Sequence, residues 1–391
     1  MKSLHRSRVC WLQLSGCLVA LIGLCATALA EDQAPLTLVA RDPAGHGMLC
    51  RSGEKTILMV SGTPEQMGAA HGTLLHDQIQ AMMGKTAAVL GKRLKIADGQ
   101  KFLFHLTDKI AKHGGPYVPP RFFAECDAMS KAAGITRQQG RAANLFQEQF
   151  HCSGVAVHGK ATIGGRVLHA RVLDYICDAG FQKCAAVIVY MPAQGNAWMS
   201  LGYAGFIGTV TAMNEKGLAV GEKGNGAAGP ANWNGMPMTF LLRDVMERAS
   251  NVEEALDIIR KTPRTCDYSY VLSDKSGEIR SLRCTPKEMI VLKPGQQHPK
   301  WGAPVPPDTV FISMHPKELS QRLFAEHGKI DVPRMIEILK RPVASKSNLH
   351  DAIFAPQTLD MWFADAGRKT CACDEPYAHV NLKQLIEYYR K

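Results

Sequence analysis

The sequence predicts an α+β fold in which a helical N-terminal segment precedes a β-rich remainder. Three observations carry that reading. Apolar residues recur at helical spacing from Thr63 to Phe150. From Cys152 onward, short apolar runs alternate with glycine-containing turns. No Gly-x-Gly-x-x-Gly opens a helix after a strand, so a doubly wound dinucleotide-binding sheet is not expected.

Taken in order, the chain opens on a basic stretch, Lys2, Arg6 and Arg8, followed by the uncharged, largely apolar run Val9 to Leu24 and by Ala28-Leu29-Ala30. That order reads as a secretory signal peptide over 1–30, placing the mature chain in the periplasm or outside the cell. An uncleaved anchor is one alternative; a lipoprotein anchored at Cys17 of Leu14-Ser15-Gly16-Cys17 is another. No later stretch is long and apolar enough to span a membrane, so no stable span is expected in the mature chain. Residues 41–60 read as short extended segments. Met67, Ala70, Leu74, Leu75 and Ile79 then recur at helical spacing, and helical signals continue through Phe102–Lys112, a segment opened by Pro119-Pro120, and Thr136–Phe150.

Strands are expected at Cys152–Val157, Arg166–Leu173, Ala185–Met191, Phe206–Ala212 and Leu218–Gly221. Residues 160–165 and 214–217 read as hairpin turns. Two helices follow at Thr239–Ala249 and Val252–Lys261, the second with Asn251 as N-cap and Glu254 three residues on. Further strands are expected at Tyr268–Ser273, Ile279–Leu282, Met289–Leu292, Val310–Ser313 and Thr358–Phe363, with helices at Val332–Lys340 and Leu382–Arg390. Strands, a helix pair, strands and a helix suggest antiparallel α+β layers.

The net charge of +11 is spread along the chain without a Lys/Arg block, so nucleic acid is not an expected partner. Nor does any cysteine spacing form a C-x-x-C pair, and no metal or other cofactor is implied. Of the twelve cysteines, Cys10, Cys17 and Cys25 would leave with the leader. Nine remain, an odd number, and in an oxidising compartment at least one thiol then stays unpaired within the chain. Cys177 with Cys184 and Cys266 with Cys284 are candidate disulfides. Cys371 and Cys373 are too close in sequence to pair readily with each other.

Cys152 begins the first strand of the β-rich part, and Arg171 and Asp174 end the second strand of the same hairpin. The hairpin returns those residues to the side of Cys152. A thiolate attacks a carbonyl only when a base takes its proton or positive charge lowers its pKa from about 8.5. Arg171 supplies such a charge. His151 is adjacent in sequence but faces the other side of a strand. A chain cut before Cys152 would free an α-amino group with a pKa near about 8, close to its own sulfur.

Gly62-Thr63-Pro64-Glu65-Gln66-Met67-Gly68-Ala69-Ala70-His71-Gly72, then Cys152-Ser153, Gly165-Arg166-Val167-Leu168 with Arg171 and Asp174, Met213-Asn214-Glu215-Lys216-Gly217, and Phe354 to Trp362 resemble, in order, the acyl-CoA:6-aminopenicillanic acid acyltransferase (isopenicillin-N acyltransferase) family. The segment at Met213 is also similar to choloylglycine hydrolases and penicillin V acylases. The resemblance implies an N-terminal-nucleophile (Ntn) hydrolase, an αββα four-layer sandwich made as a self-cleaving precursor. It implies a cut between His151 and Cys152, giving a helical chain 31–151 and an Ntn core 152–391 that stay associated as one structural domain. It further implies a small-molecule N-acyl amide substrate, with acyl-CoA a possible donor. Cys152 would be the nucleophile, its α-amino group the base, and Arg171 and Asp174 the activating and orienting groups, with Asn225 the candidate oxyanion donor. His151 stands where the family usually has Gly, and Met314 in Ser313-Met314-His315 where relatives have Asn, which points to a more apolar acyl group. The competing expectation is a disulfide-stabilised extracellular binding protein that kept the fold and lost catalysis.

Overall fold

The computed structural model describes residues 34–84, 98–145, 151–175, 180–225, 233–299 and 302–391. The expected leader, residues 146–150 and Cys177 lie outside the described residues. Strand β1 (Leu36–Arg41), β2 (Gly47–Ser52) and β3 (Lys55–Gly62) come first, followed by helices α1 (Pro64–Leu74), α2 (Gly99–Gly114), α3 (Pro120–Ala132) and α4 (Arg137–Leu145). The hairpin β4 (His151–Gly159) and β5 (Gly165–Asp174) follows, then β6 (Ala185–Pro192), β7 (Trp198–Tyr203), β8 (Thr211–Asn214) and β9 (Ala219–Gly224). Helices α5 (Met238–Arg248) and α6 (Val252–Lys261) separate these from β10 (Tyr268–Ser273), β11 (Ile279–Cys284), β12 (Met289–Leu292) and β13 (Thr309–Ile312). The chain ends with α7 (Pro316–Glu326), α8 (Val332–Leu339), β14 (Asn348–Ala355), β15 (Asp360–Asp365), β16 (Ala378–Asn381) and α9 (Leu382–Tyr389).

The strands form a ten-stranded sheet, β1-β2-β3-β6-β7-β8-β9-β10-β11-β12, and a six-stranded sheet, β13-β4-β5-β14-β15-β16. Every pairing is antiparallel except β3 with β6. Apolar side chains of α1, α3, α5 and α6 pack with one face of the larger sheet. Met59, Val187 and Met213 meet Phe354, Met361 and Phe363 between the sheets, where α9 also lays Leu382 and Ile386. Val155, Val172 and Ile353 on the outer face of the smaller sheet pack with Leu319, Leu323, Met335 and Ile338 of α7 and α8. The layers therefore run helix, sheet, sheet, helix, as the αββα reading expects.

Local chemistry explains the elements that matter for the site. Thr63 Oγ1 accepts from Gln66 N at 3.3 Å while Gln66 Oε1 accepts from Thr63 N at 2.8 Å, a reciprocal cap that starts α1. A Cβ on Gly68 would lie 2.2 Å from Glu125 O, and one on Gly72 2.3 Å from Met129 O, so only glycines let α1 approach α3 this closely. His71, between them, is buried and accepts from Gly205 N at 3.0 Å. Burial pushes its pKa down to about 3, so it is a neutral structural acceptor. Asn251 Oδ1 caps α6 by accepting from Glu254 N at 2.9 Å.

Three departures have physical causes. The run Phe206–Ala212 is mostly not strand: Ile207 N and Gly208 N donate to the Asn144 side chain of α4, at 2.8 and 3.2 Å, in place of a ladder partner. Strand β14 carries Asn348, His350 and Asp351, all 0% exposed, and so hides behind a polar sequence; Tyr203 OH and Thr211 Oγ1 each lie 3.0 Å from a His350 ring nitrogen. The short extended segments expected over residues 41–60 are present as β2 and β3, which extend the larger sheet through β6. No disulfide forms among the described residues: Cys284 is a free thiol, so the expected bond to Cys266 is not made. Cys284 lies opposite Tyr268 in register, with Cys266 two residues beyond the strand start at a positive φ of 48°.

One buried ion cluster ties the two halves of the chain together. Arg243 of α5, 1% exposed, donates from Nη2 to Glu125 Oε2 at 2.6 Å and from Nη1 to Glu125 Oε1 at 2.9 Å. Its Nε donates to Glu247 Oε1 at 2.9 Å, and its guanidinium carbon lies 4.8 Å from the Phe122 and Tyr190 ring centroids. Removing one partner strands a buried charge, at a cost of about 3–5 kcal/mol. Glu125→Ala should lower the unfolding free energy by about that amount in urea titrations, and Glu125→Gln by less. Equal urea midpoints for Glu125→Ala and the parent would show that the cluster does not stabilise the fold.

Candidate active site

Register along β4 and β5 places His151 opposite Asp174, Cys152 opposite Leu173 and Gly154 opposite Arg171. Side chains two apart share a face, so Cys152 and Arg171 look the same way. A Cβ on Gly154 would lie 3.2 Å from Val271 Cγ2, which identifies that face as the one turned to the larger sheet. Arg171 Nη2 donates to Cys152 Sγ at 3.0 Å and to Glu222 Oε2 at 3.2 Å. Cys152, Arg171 and Glu222 are each 0% exposed. Arg171 also donates from Nη1 to Val172 O. Gly221 leaves the space this side chain uses: a Cβ there would lie 3.0 Å from Arg171 Cδ.

Burial pushes the Cys152 thiol up to about 12; the Arg171 guanidinium pulls it down, while Glu222 and Asp174 add to the rise. In the continuous chain the sulfur is therefore protonated at neutral pH and a poor nucleophile. Asp174 Oδ1 accepts from Ser345 N at 3.0 Å, and its Oδ2 is buried with no hydrogen-bond partner among the described residues. Burial raises its pKa, against the Ser345 hydrogen bond and the Arg171 charge. A cationic amine placed beside that oxygen would find an acceptor already in position.

Asn225 sits apart from this pair, just past the end of β9. Its Nδ2 donates to Asp267 Oδ1 at 2.8 Å and to Ser269 Oγ at 2.9 Å, and its Oδ1 accepts from Lys223 Nζ at 2.9 Å. Both carboxamide N–H groups are thus engaged. Beyond Ser269 lies a cavity of about 180 Å³ with Leu282, Leu292, Phe311 and Met314 on its walls. Ser313, also on its wall, lies 2.8 Å from Ser153 across their hydroxyls. Met314 thus borders a largely apolar space.

The sequence reading brought Cys152, Arg171 and Asp174 to one hairpin end, and the register places them there. It missed Glu222 and Lys223. The available signal was two charges directly after the apolar run Leu218–Gly221, where the strand continues to Gly224. Burial pushes Glu222 up to about 7, with Arg171 and Lys223 opposing. A buried acid whose folded pKa lies above its unfolded value contributes stability at low pH and loses it as pH rises from about 4.5 toward 7. Glu222→Gln should therefore flatten the fall of stability across that window, by up to about 1.4 kcal/mol per pH unit, in urea titrations at stepped pH. An unchanged slope would mean that Glu222 ionises as it does in the unfolded chain.

Residues 181–297 match the family model described as acyl-coenzyme A:6-aminopenicillanic acid acyl-transferase. The chain is 29% identical over 300 residues to Protein dcd1B of Dictyostelium discoideum, covering 69% of this chain and 60% of that one. It is 23% identical over 211 residues to the N-acylethanolamine-hydrolyzing acid amidase of Oryctolagus cuniculus, covering 51% of this chain and 56% of that one. The chain thus spans somewhat over half the length of these curated relatives. Among solved structures, the Caenorhabditis elegans N-acylethanolamine-hydrolyzing acid amidase ortholog superposes with a TM-score of 0.44 at 16% identity, covering 53% of this chain and 93% of that one. The matched segment spans β6 to β12, and the motifs of α1, β4 and β5 precede it in order, so over this segment the chain is similar to the acyl-coenzyme A:6-aminopenicillanic acid acyl-transferase family.

Proposed function

We propose that this protein is an exported, self-processing cysteine Ntn hydrolase or acyltransferase that acts on linear amides through an acyl-thioester on Cys152. The observation that carries the reading is the 3.0 Å contact of Arg171 Nη2 with Cys152 Sγ in a fully buried hairpin end. The kinship to amide-processing families supports it.

In the first step, Cys152 Sγ attacks the His151 carbonyl carbon, the peptide C–N bond breaks, and the Cys152 nitrogen leaves as the α-amine. Water then hydrolyses the thioester, leaving chains 31–151 and 152–391. In turnover, the α-amine takes the thiol proton as sulfur attacks the substrate carbonyl. The tetrahedral intermediate collapses, the amine leaves with that proton, and water or an acceptor amine takes the acyl group and restores the thiol. Arg171 favours the thiolate, and Asp174 Oδ2 holds the α-ammonium. Asn225 donates to the oxyanion by exchanging one of its bonds to Asp267 or Ser269 for the substrate oxygen. The two chains stay associated through the β3–β6 pairing and the Glu125–Arg243 cluster, which both cross the cut.

Intact-mass measurement of the purified, exported protein should give two chains, beginning at Glu31 and Cys152. Cys152→Ala should give one uncut chain with amide hydrolysis at background. A single chain that hydrolyses N-acyl amides as fast after Cys152→Ala as before would refute the nucleophile assignment. Arg171→Met should lower kcat by about 10²–10³ in a protein already processed, as expected for loss of an electrostatic group at the reacting atom. Turnover at the parent rate would remove Arg171 from the mechanism.

A further inference from the structure

Lys223 is the charged group that the proposed chemistry leaves unexplained. It lies on β9 two residues past Gly221 and therefore on the same face of the strand. That face meets Arg171, whose guanidinium touches the Cys152 sulfur. Lys223 is 6% exposed. Its Nζ donates to Asn225 Oδ1 at 2.9 Å and to Gly224 O at 3.3 Å, both neutral acceptors. An ammonium has three N–H donors, so one is uncommitted among the described residues. The neighbouring carboxylates are engaged elsewhere: Glu222 with Arg171 at 3.2 Å, and Asp267 with Arg283. Among the described residues none comes within ion-pair distance of Lys223 Nζ. A buried ammonium without a direct ion pair is costly, and proteins keep such charges chiefly where a ligand or a reaction uses them.

The surroundings specify the ligand. Across the sheet Lys223 is opposite Ser269, and Ser269 is opposite Arg283, a row that leads from the Cys152 side to the apolar cavity. Arg283 is neutralised by Asp267, so the uncommitted charge on this row lies at the Lys223 end. A molecule lying along it would meet a cation near the thiol and an apolar space further on. We propose that Lys223 is a specificity-determining residue that binds the carboxylate of an N-acyl amino acid, whose apolar acyl part lies toward the cavity. This assignment rests on Cys152 as the nucleophile. Burial lowers the Lys223 pKa, and the nearby sulfur, Glu222 and Asp267 raise it. A bound carboxylate would add to that second group and keep the ammonium charged.

The test compares N-octanoylglycine with N-octanoylglycinamide, which differ only in the charge of the terminal group. Calorimetric titration of the purified processed protein should give at least ~10-fold tighter binding of the carboxylate, the range of a charge-assisted hydrogen bond. That ratio should fall to near unity in Lys223→Met and be largely retained in Lys223→Arg. Equal affinities of the two probes for the parent protein, failure of both to bind, or a ratio unchanged in Lys223→Met would each overturn the proposal. Octanoate release is followed in parallel. If neither probe is turned over yet the binding ratio collapses in Lys223→Met, the nucleophile reading fails and the carboxylate site stands. Cys152-dependent turnover without a charge preference has the opposite meaning.

Discussion

The fully buried guanidinium of Arg171 is the constraint around which the central layer is arranged. A cation taken out of water must be returned its hydrogen bonds and its counter-charge, or it destabilises the fold by several kcal/mol. Cys152, Glu222 and the Val172 carbonyl together meet most of that demand, and they come from both sheets. The sheets must therefore come close at this point. They do so where Gly154 on one and Gly221 on the other carry no side chain. Substituting either glycine would press against Val271 or Arg171, so the glycine pair and the arginine form a single device. The geometry around Cys152 is thus a consequence of how the layer packs, not an addition to it.

The same burial accounts for a resting state and a working state on the proposed reading. In the continuous chain the thiol is held in its protonated form by desolvation, with Glu222 and Asp174 reinforcing that effect. Asp174 keeps one buried oxygen without a hydrogen-bond partner among the described residues. On that reading, cutting before Cys152 replaces a neutral amide by an amine that this oxygen is proposed to hold. The amine gains an acceptor, Asp174 gains a cation, and the sulfur gains a base. Each group then corrects the electrostatic imbalance of another, which is a physical reason for processing and activation to be one event.

How much of this was legible in the sequence follows from where the signals lie. The Asn251 cap, the Tyr268–Ser273 and Met289–Leu292 strands and the hairpin bringing Asp174 back to the start of β4 could be read because local pattern and tertiary role agree there. Strand β14 could not, because its Asn348, His350 and Asp351 look like a loop until Tyr203, Thr211 and Tyr377 are placed around them. The end of β9 was lost for the same reason: Glu222-Lys223 reads as solvent-facing, and only the meeting of the two sheets buries it. Asn225 is a candidate by its place in the sequence, but its engagement with Asp267 and Ser269 depends on β10 and could not be foreseen. Local periodicity predicts elements, whereas buried polar groups are defined by partners far away in the chain.

Those distant partners also decide whether a cut chain can hold together. Strands β1 to β3 are part of the larger sheet through β3 and β6, so residues before the proposed cut supply an edge of the sheet built by residues after it. Asn144 fixes the 205–208 turn, His71 receives Gly205 N, and Glu125 neutralises Arg243. All of these are buried, and none involves the peptide between His151 and Cys152. Breaking that peptide removes one covalent link and leaves every one of these contacts in place. Separating the two chains would instead expose a sheet edge and strip Arg243 of its two bonds to Glu125, leaving only Glu247 as its carboxylate partner, at a cost far beyond the entropy gained by freeing one chain end.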